Sequence, residues 1–66
     1  MKKIIEFVRK CNVFGFYTNN SNDELHIGLF SNQNSDNIIN GILNIDSDCE
    51  IEISDYGLIV RNKKWI

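Results

Sequence analysis

The apolar positions at the start of the chain follow a helical period. Residues 2–11 repeat apolar side chains at the three- and four-residue spacing of one helical face: Ile4, Phe7, Val8 and Cys11. Charged residues take the opposite side, so the pattern predicts a short amphipathic helix. A helix this short is marginal alone, and its apolar stripe must therefore pack against another element.

The next two segments alternate apolar and polar positions, as half-buried strands do. Residues 13–18 and 25–30 are separated by turn-forming residues at 19–24, which predicts a β-hairpin. A register that pairs Phe16 with Ile27 collects the large apolar side chains on one face, and such a face specifies register. The side chains predicted to share this core face are Phe14, Phe16, Leu25, Ile27 and Leu29.

The same register pairs two glycines on the other face of the hairpin, Gly15 and Gly28. Paired glycines within strands leave a shallow slot that a ring or another backbone can approach closely. Either the N-terminal helix or Trp65 fills this slot, or the slot is a partner-binding groove. The groove would be lined by Gly15, Tyr17, His26, Gly28 and Phe30.

Residues 36–45 carry conflicting signals. Their isoleucines and leucine fit one helical face, with Ser35 or Asp36 as an N-cap. The dipeptide Asn40-Gly41 between two apolar pairs is, however, a strong hairpin signal. Because asparagine, isoleucine, aspartate and glycine are poor helix formers, the balance favours a hairpin, with a helix as the alternative.

The C-terminal third predicts a second hairpin. Residues 50–53 alternate glutamate and isoleucine, so the isoleucines should be buried and the glutamates should face water. Residues 55–57 suit a three-residue loop with Gly57 in the left-handed conformation. Residues 58–60 then form the return strand.

The length of 66 residues, 42% of them hydrophobic, suits one domain over residues 1–66 with a small core. We predict an α+β fold, with a short N-terminal helix packed on a small antiparallel sheet of hairpins or on a small barrel. No secretory signal is evident, and no apolar run approaches the about 20 residues of a membrane span. We therefore expect a cytoplasmic protein in which Cys11 and Cys49 are reduced, a disulfide between them being the alternative.

Charge is unevenly distributed along the chain, whose net charge is −2. All seven Lys and Arg residues lie before residue 11 or after residue 60, and eight of the nine acidic residues lie between. Either these charges pair across neighbouring elements, or the acids form a face that steers a basic partner. The candidate partner-binding residues are Asp46, Asp48, Glu50, Glu52 and Asp55.

No residue pattern indicates catalysis, a metal or a cofactor. His26 is the only histidine and has no partner at a spacing typical of a catalytic triad. Two isolated cysteines do not make a zinc site. The oxygen-rich residues 46–50 lack the glycine and the closing glutamate of a calcium loop. We expect a protein that is not an enzyme and needs no cofactor.

By elimination, the sequence predicts a small protein-binding regulator or inhibitor whose partner is a protein with a basic surface. The abundance of asparagine, isoleucine and lysine is typical of AT-rich genomes, which favours a phage or mobile-element origin and a host or defence target, as for anti-CRISPR inhibitors. The alternative is an Sm-like or SH3-like nucleic-acid-binding module that uses the basic termini. That alternative rests on topology alone, and the acidic middle of the chain argues against it.

Overall fold

The computed structural model describes residues 1–19 and 23–65, which form two α-helices and one antiparallel sheet. In chain order the elements are α1 (Lys2–Lys10), β1 (Gly15–Thr18), β2 (Glu24–Gly28), α2 (Ser35–Ile45), β3 (Glu50–Ser54) and β4 (Gly57–Arg61), followed by a 3₁₀ turn at Lys63–Trp65. The α+β class and the N-terminal helix are confirmed.

The four strands lie in the order β1-β2-β4-β3, and every neighbouring pair is antiparallel. The sheet is open, with β1 and β3 as its edges, so the barrel alternative is wrong. Four strands of four or five residues are too few to close around a core. Both helices instead cover one face of the sheet, which we call the inner face, and the opposite face is the outer face.

The predicted register of the first hairpin is confirmed. Phe16 pairs with Ile27, and Gly15 pairs with Gly28. The predicted turn residues 20–22 lie outside the described residues. Strand β2 pairs on its other side with β4, which the sequence did not predict.

The core lies between the helices and the inner face. Eight apolar side chains are buried there: Ile4, Val8, Leu25, Ile27, Ile38, Ile42, Leu58 and Val60. Phe16, Leu29 and Ile51 are half-buried against this cluster. The predicted burial of Phe14 is wrong, because the β1–β2 pairing ends at Gly15 and the Phe14 side chain, 74% exposed, packs against Phe30 instead.

The hairpin predicted for residues 36–45 is wrong, because these residues belong to α2. The Asn34 side chain caps the helix by accepting a hydrogen bond from the Asp36 N–H at 3.0 Å. Gly41 faces α1, where a Cβ would collide with the ring of Phe7. Close packing of the two helices therefore outweighs the poor helix propensity of this segment.

The second hairpin is confirmed, with a shorter loop than predicted. Ser54 pairs with Gly57, which leaves two loop residues. The φ angle of Gly57 is 159°, a positive value that L side chains rarely adopt, but it is far from the left-handed helical conformation that the sequence predicts. The glutamates of β3 face water as predicted, but Ile53 is 70% exposed because β3 is an edge strand.

Candidate binding groove on the outer face of the sheet

A row of small residues crosses the outer face of the sheet. The strand registers place four residues side by side on β1, β2, β4 and β3: Gly15, Gly28, Gly57 and Ser54. We call these four residues the glycine row. Gly15, Gly28 and Ser54 are half-buried and Gly57 is buried. Because no side chain in the row is larger than a hydroxymethyl group, the row forms a shallow floor across the sheet.

Neither predicted occupant covers this floor. Helix α1 packs on the inner face, and the Trp65 indole N–H donates to Asp46 Oδ2 at 3.1 Å. A Cβ on Gly15 would have no neighbour within 4 Å. A Cβ on Gly28 would lie 3.8 Å from Phe14 Cδ1 and 3.6 Å from the Gly15 carbonyl oxygen. The slot predicted from the sequence is therefore open.

Two adjoining cavities share Phe14, Gly28, Ser54 and Tyr56 as lining residues. The smaller cavity, of about 390 Å³, lies on the outer face, and the larger one, of about 670 Å³, opens at the end of the sheet, where Gln33, Ser35 and Ile53 also line it. On one side, the rings of Phe14 and Phe30 meet edge to face with their centroids 5.4 Å apart. On the other side, Tyr17 stacks on His26 at 4.7 Å. The floor is thus enclosed between aromatic side chains.

Exposed apolar side chains concentrate at these cavities. Among the described residues, seven large hydrophobic side chains are exposed, and five of them line the cavities: Phe14, Tyr17, Phe30, Ile53 and Tyr56. We call these five side chains and the glycine row the aromatic groove. Clusters of exposed apolar side chains occur at protein interaction sites, which makes the aromatic groove a candidate for one.

The structure brings the sequence-predicted groove residues together. Gly15, Tyr17, His26 and Gly28 line the smaller cavity, and Phe30 lines the larger one. Sequence reasoning missed five members of the aromatic groove: Phe14, Ile53, Ser54, Tyr56 and Gly57. The sequence did contain a signal for Tyr56, since a tyrosine in a predicted three-residue hairpin loop has little neighbouring structure to bury it.

A polar network crosses three strands beside the groove. Glu24 lies 3.1 Å from His26 Nε2 through one carboxylate oxygen and accepts from Arg61 Nε at 3.1 Å through the other. Arg61 Nη1 donates to Glu52 at 3.1 Å. Hydrogen bonds to Glu52 and Glu24 raise the pKa of Arg61. The network fixes the outer-face side chains of β2, β4 and β3 beside the groove.

The five predicted acidic site residues occupy different places. Asp46 and Asp48 lie in the connection between α2 and β3, whereas Asp55 lies in the turn at the far end of β3. At about 3.3 Å per residue, the strand between these two ends separates them by roughly 20 Å. Asp48 pairs with Lys64 at 2.9 Å, and Glu52 pairs with Arg61. Several of the charges thus pair across neighbouring elements.

Asp46 anchors the C-terminal segment to the rest of the fold. Its Oδ2 accepts from Asn62 Nδ2 at 2.9 Å and from the Trp65 indole, and its Oδ1 accepts from the Asp48 N–H. Burial alone would raise the pKa of Asp46, but the hydrogen bonds from Asp48, Trp65 and Asn62 lower it on balance. The geometry around Asp46 is that of a structural carboxylate.

Cys11 and Cys49 are free thiols in the structure. Burial and the neighbouring Asp46 carboxylate raise the pKa of the Cys49 thiol from 9.0 to about 11. In a Cys11→Ser background, iodoacetamide should therefore alkylate Cys49 at pH 8 about 100-fold more slowly than a free thiol of pKa 9, because the thiolate is the reactive form. The rate, followed by mass spectrometry, should rise with pH up to about pH 11.

Asp46→Asn is the control for this measurement. It removes the negative charge that disfavours the thiolate, so the pKa of Cys49 should fall and alkylation should accelerate. A rate equal to that of free cysteine, unchanged by Asp46→Asn, would contradict the role assigned to the carboxylate.

Within the described part of the chain, no group of three His, Cys, Asp or Glu side chains is placed to hold a metal ion. Neither described helix has the length and hydrophobicity needed to cross a bilayer. No protein-family model matches the chain, and comparisons with curated proteins and with solved structures find no match.

Proposed function

We propose that this protein is a non-enzymatic, protein-binding regulator or inhibitor and that the aromatic groove is its binding surface. The groove supports this because it collects most of the large exposed apolar side chains at one place, with Tyr56 86% exposed. Burying apolar surface contributes roughly 25 cal/mol per Å². Aromatic side chains also dominate the binding energy of protein interfaces.

The charges around the groove favour a basic protein as partner. The described side chains of the outer face and its β3–β4 turn include four carboxylates and one guanidinium: Glu24, Glu50, Glu52, Asp55 and Arg61. This surplus of negative charge would attract a basic protein surface and repel nucleic-acid phosphates. The partner expected from the sequence is retained, and the apolar anchor of its contact is the aromatic groove.

Binding should depend on the exposed tyrosines. We expect Tyr17→Ser combined with Tyr56→Ser to weaken binding of a partner captured by the wild-type protein at least tenfold, about 1.4 kcal/mol. The fold should persist, because both side chains are exposed. The partner is first captured from the source cells, then purified, and its affinity is measured by calorimetry.

Leu43→Ser is the matched control, since Leu43 is an exposed apolar side chain on α2, outside the groove. It should bind like the wild type. Equal affinity of the tyrosine variant and the wild type for the purified partner would refute the groove as the binding surface.

Nucleic-acid binding is a second candidate, and one observation favours it. The solvent face of α1 is basic, with the exposed cations Lys2, Lys3, Arg9 and Lys10. The open sheet does not favour the Sm-like or SH3-like barrel form of this candidate. This candidate would be supported over the first if the protein bound oligonucleotides, if Lys2→Glu combined with Lys3→Glu abolished that binding, and if the tyrosine variant retained it.

A further inference from the structure

We infer that the aromatic groove holds an arginine side chain of the partner protein, stacked on the exposed rings and paired with Asp55. This inference rests on the proposed function and names the chemistry of the segment bound there. Asp55 lies next to Tyr56 in the β3–β4 turn, and both line the larger cavity with Phe14 and Phe30. The turn therefore presents a carboxylate beside the three rings.

The charge of the groove is complementary to a cation. Among the residues that the structure describes, Asp55 is the one charged residue lining the larger cavity, and no Lys or Arg lines either cavity. With the described side chains, Asp55 makes no ion pair or hydrogen bond. A carboxylate beside exposed aromatic rings is a setting in which a cation gains both an ion pair and a cation–π contact.

Guanidinium suits this site better than ammonium. Its planar group stacks on aromatic faces while its edge donates two hydrogen bonds to a carboxylate, which a lysine ammonium cannot do. The chain itself contains an arginine over an aromatic ring and an arginine that donates one hydrogen bond to each of two carboxylates. Arg9 lies over the ring of Phe16 at 5.7 Å from the centroid, and Arg61 bridges Glu24 and Glu52.

The shape of the groove favours an extended segment. The glycine row runs across all four strands, and its floor is backbone, so a chain laid along it meets no side-chain obstruction from Gly15 or Gly28. An apolar residue next to the arginine would contact Tyr17 and Ile59 on the far side of the floor. The inferred occupant is thus an extended segment with arginine beside an apolar residue.

Two peptides test the inference: acetyl-Gly-Leu-Arg-Leu-Gly-amide and its citrulline counterpart, which keeps the shape of arginine but carries no charge. Each is titrated into ¹⁵N-labelled full chain while amide chemical shifts are followed. We expect the arginine peptide to shift the amides of Gly15, Gly28 and Gly57. The citrulline peptide should bind the wild-type chain at least tenfold more weakly than the arginine peptide does. The Asp55→Asn chain should bind the arginine peptide at least fivefold more weakly than the wild-type chain does.

Glu6→Gln is the matched control, because Glu6 is an exposed carboxylate on α1 in the other layer of the fold. It should leave the titration unchanged. Equal affinity of the two peptides, no effect of Asp55→Asn, or no shifts at the groove amides would each overturn the arginine assignment.

The proposed function can be refuted independently of the arginine inference. It is refuted by partner binding that survives the two tyrosine substitutions, whatever the peptides do. Suppose instead that partner affinity falls in the Tyr17 and Tyr56 variant but is the same for Asp55→Asn and the wild type. The groove is then supported as the binding surface, and the arginine inference is overturned. Concentration-dependent self-association abolished by Asp55→Asn would identify a second copy as the occupant and overturn the inference.

Discussion

Replacing Gly57 with alanine should destabilise the protein by about 3 kcal/mol or more, which is a large part of the total stability expected for a domain of this size. A Cβ at this position would collide with the Ile27 carbonyl oxygen. That oxygen belongs to the backbone of β2, one pair from the end of the β2–β4 pairing, and cannot rotate away. The collision can be relieved only by separating the two central strands.

Gly15→Ala provides the comparison for this result. Both residues belong to the glycine row, but a Cβ on Gly15 would have no neighbour within 4 Å. Its effect should therefore stay within about 1 kcal/mol, the ordinary range for a glycine substitution. Urea unfolding followed by circular dichroism gives both free energies, and similar values for the two variants would contradict the structure around Gly57.

Local pairing explains why so much of the sheet could be predicted from the sequence. The register of the first hairpin follows from placing Phe16 and Ile27 on one face, and that register is observed. The pairing of β2 with β4 joins residues that lie 29 to 37 positions apart in the sequence, and no local pattern indicates it. Gly57 could therefore be recognised as a sensitive turn residue, but not as the neighbour of Gly28.

The same limit applies to the candidate site. The pairing of Gly15 with Gly28 predicts a slot, because both lie in one hairpin. Three aromatic side chains of the groove lie outside the strands: Phe14 before β1, Phe30 after β2 and Tyr56 in the distant second hairpin. Phe14 was assigned to the core because alternation was extended one residue beyond the observed start of β1.

Helix α2 shows the opposite failure, in which a local signal was misleading. The dipeptide Asn40-Gly41 indicates a turn when its neighbours are free to pair as strands. In the structure, Ile38 and Ile42 are buried on one helical face, and Gly41 lies against the Phe7 ring of α1. The glycine is there for helix–helix contact, a reason that depends on the position of another element.

Gly41→Leu should accordingly destabilise the protein by about 2 kcal/mol, although leucine is a better helix former than glycine. The gain in propensity is about 1 kcal/mol. Overpacking of a tight contact costs about 1–3 kcal/mol, and a Cβ on Gly41 already collides with the ring of Phe7. Because the collision involves the whole end of the ring, we expect the upper part of that range and a net loss.

The double variant Phe7→Ala with Gly41→Leu decides whether that contact is the cause. Removing the ring leaves space that the leucine can fill, so the double variant should be more stable than the sum of the two single effects predicts. A coupling of about 1 kcal/mol or more, measured by urea unfolding of all four proteins, would identify Phe7 as the partner of Gly41. Additive effects, or a stabilising Gly41→Leu, would show that α1 and α2 do not meet at Gly41.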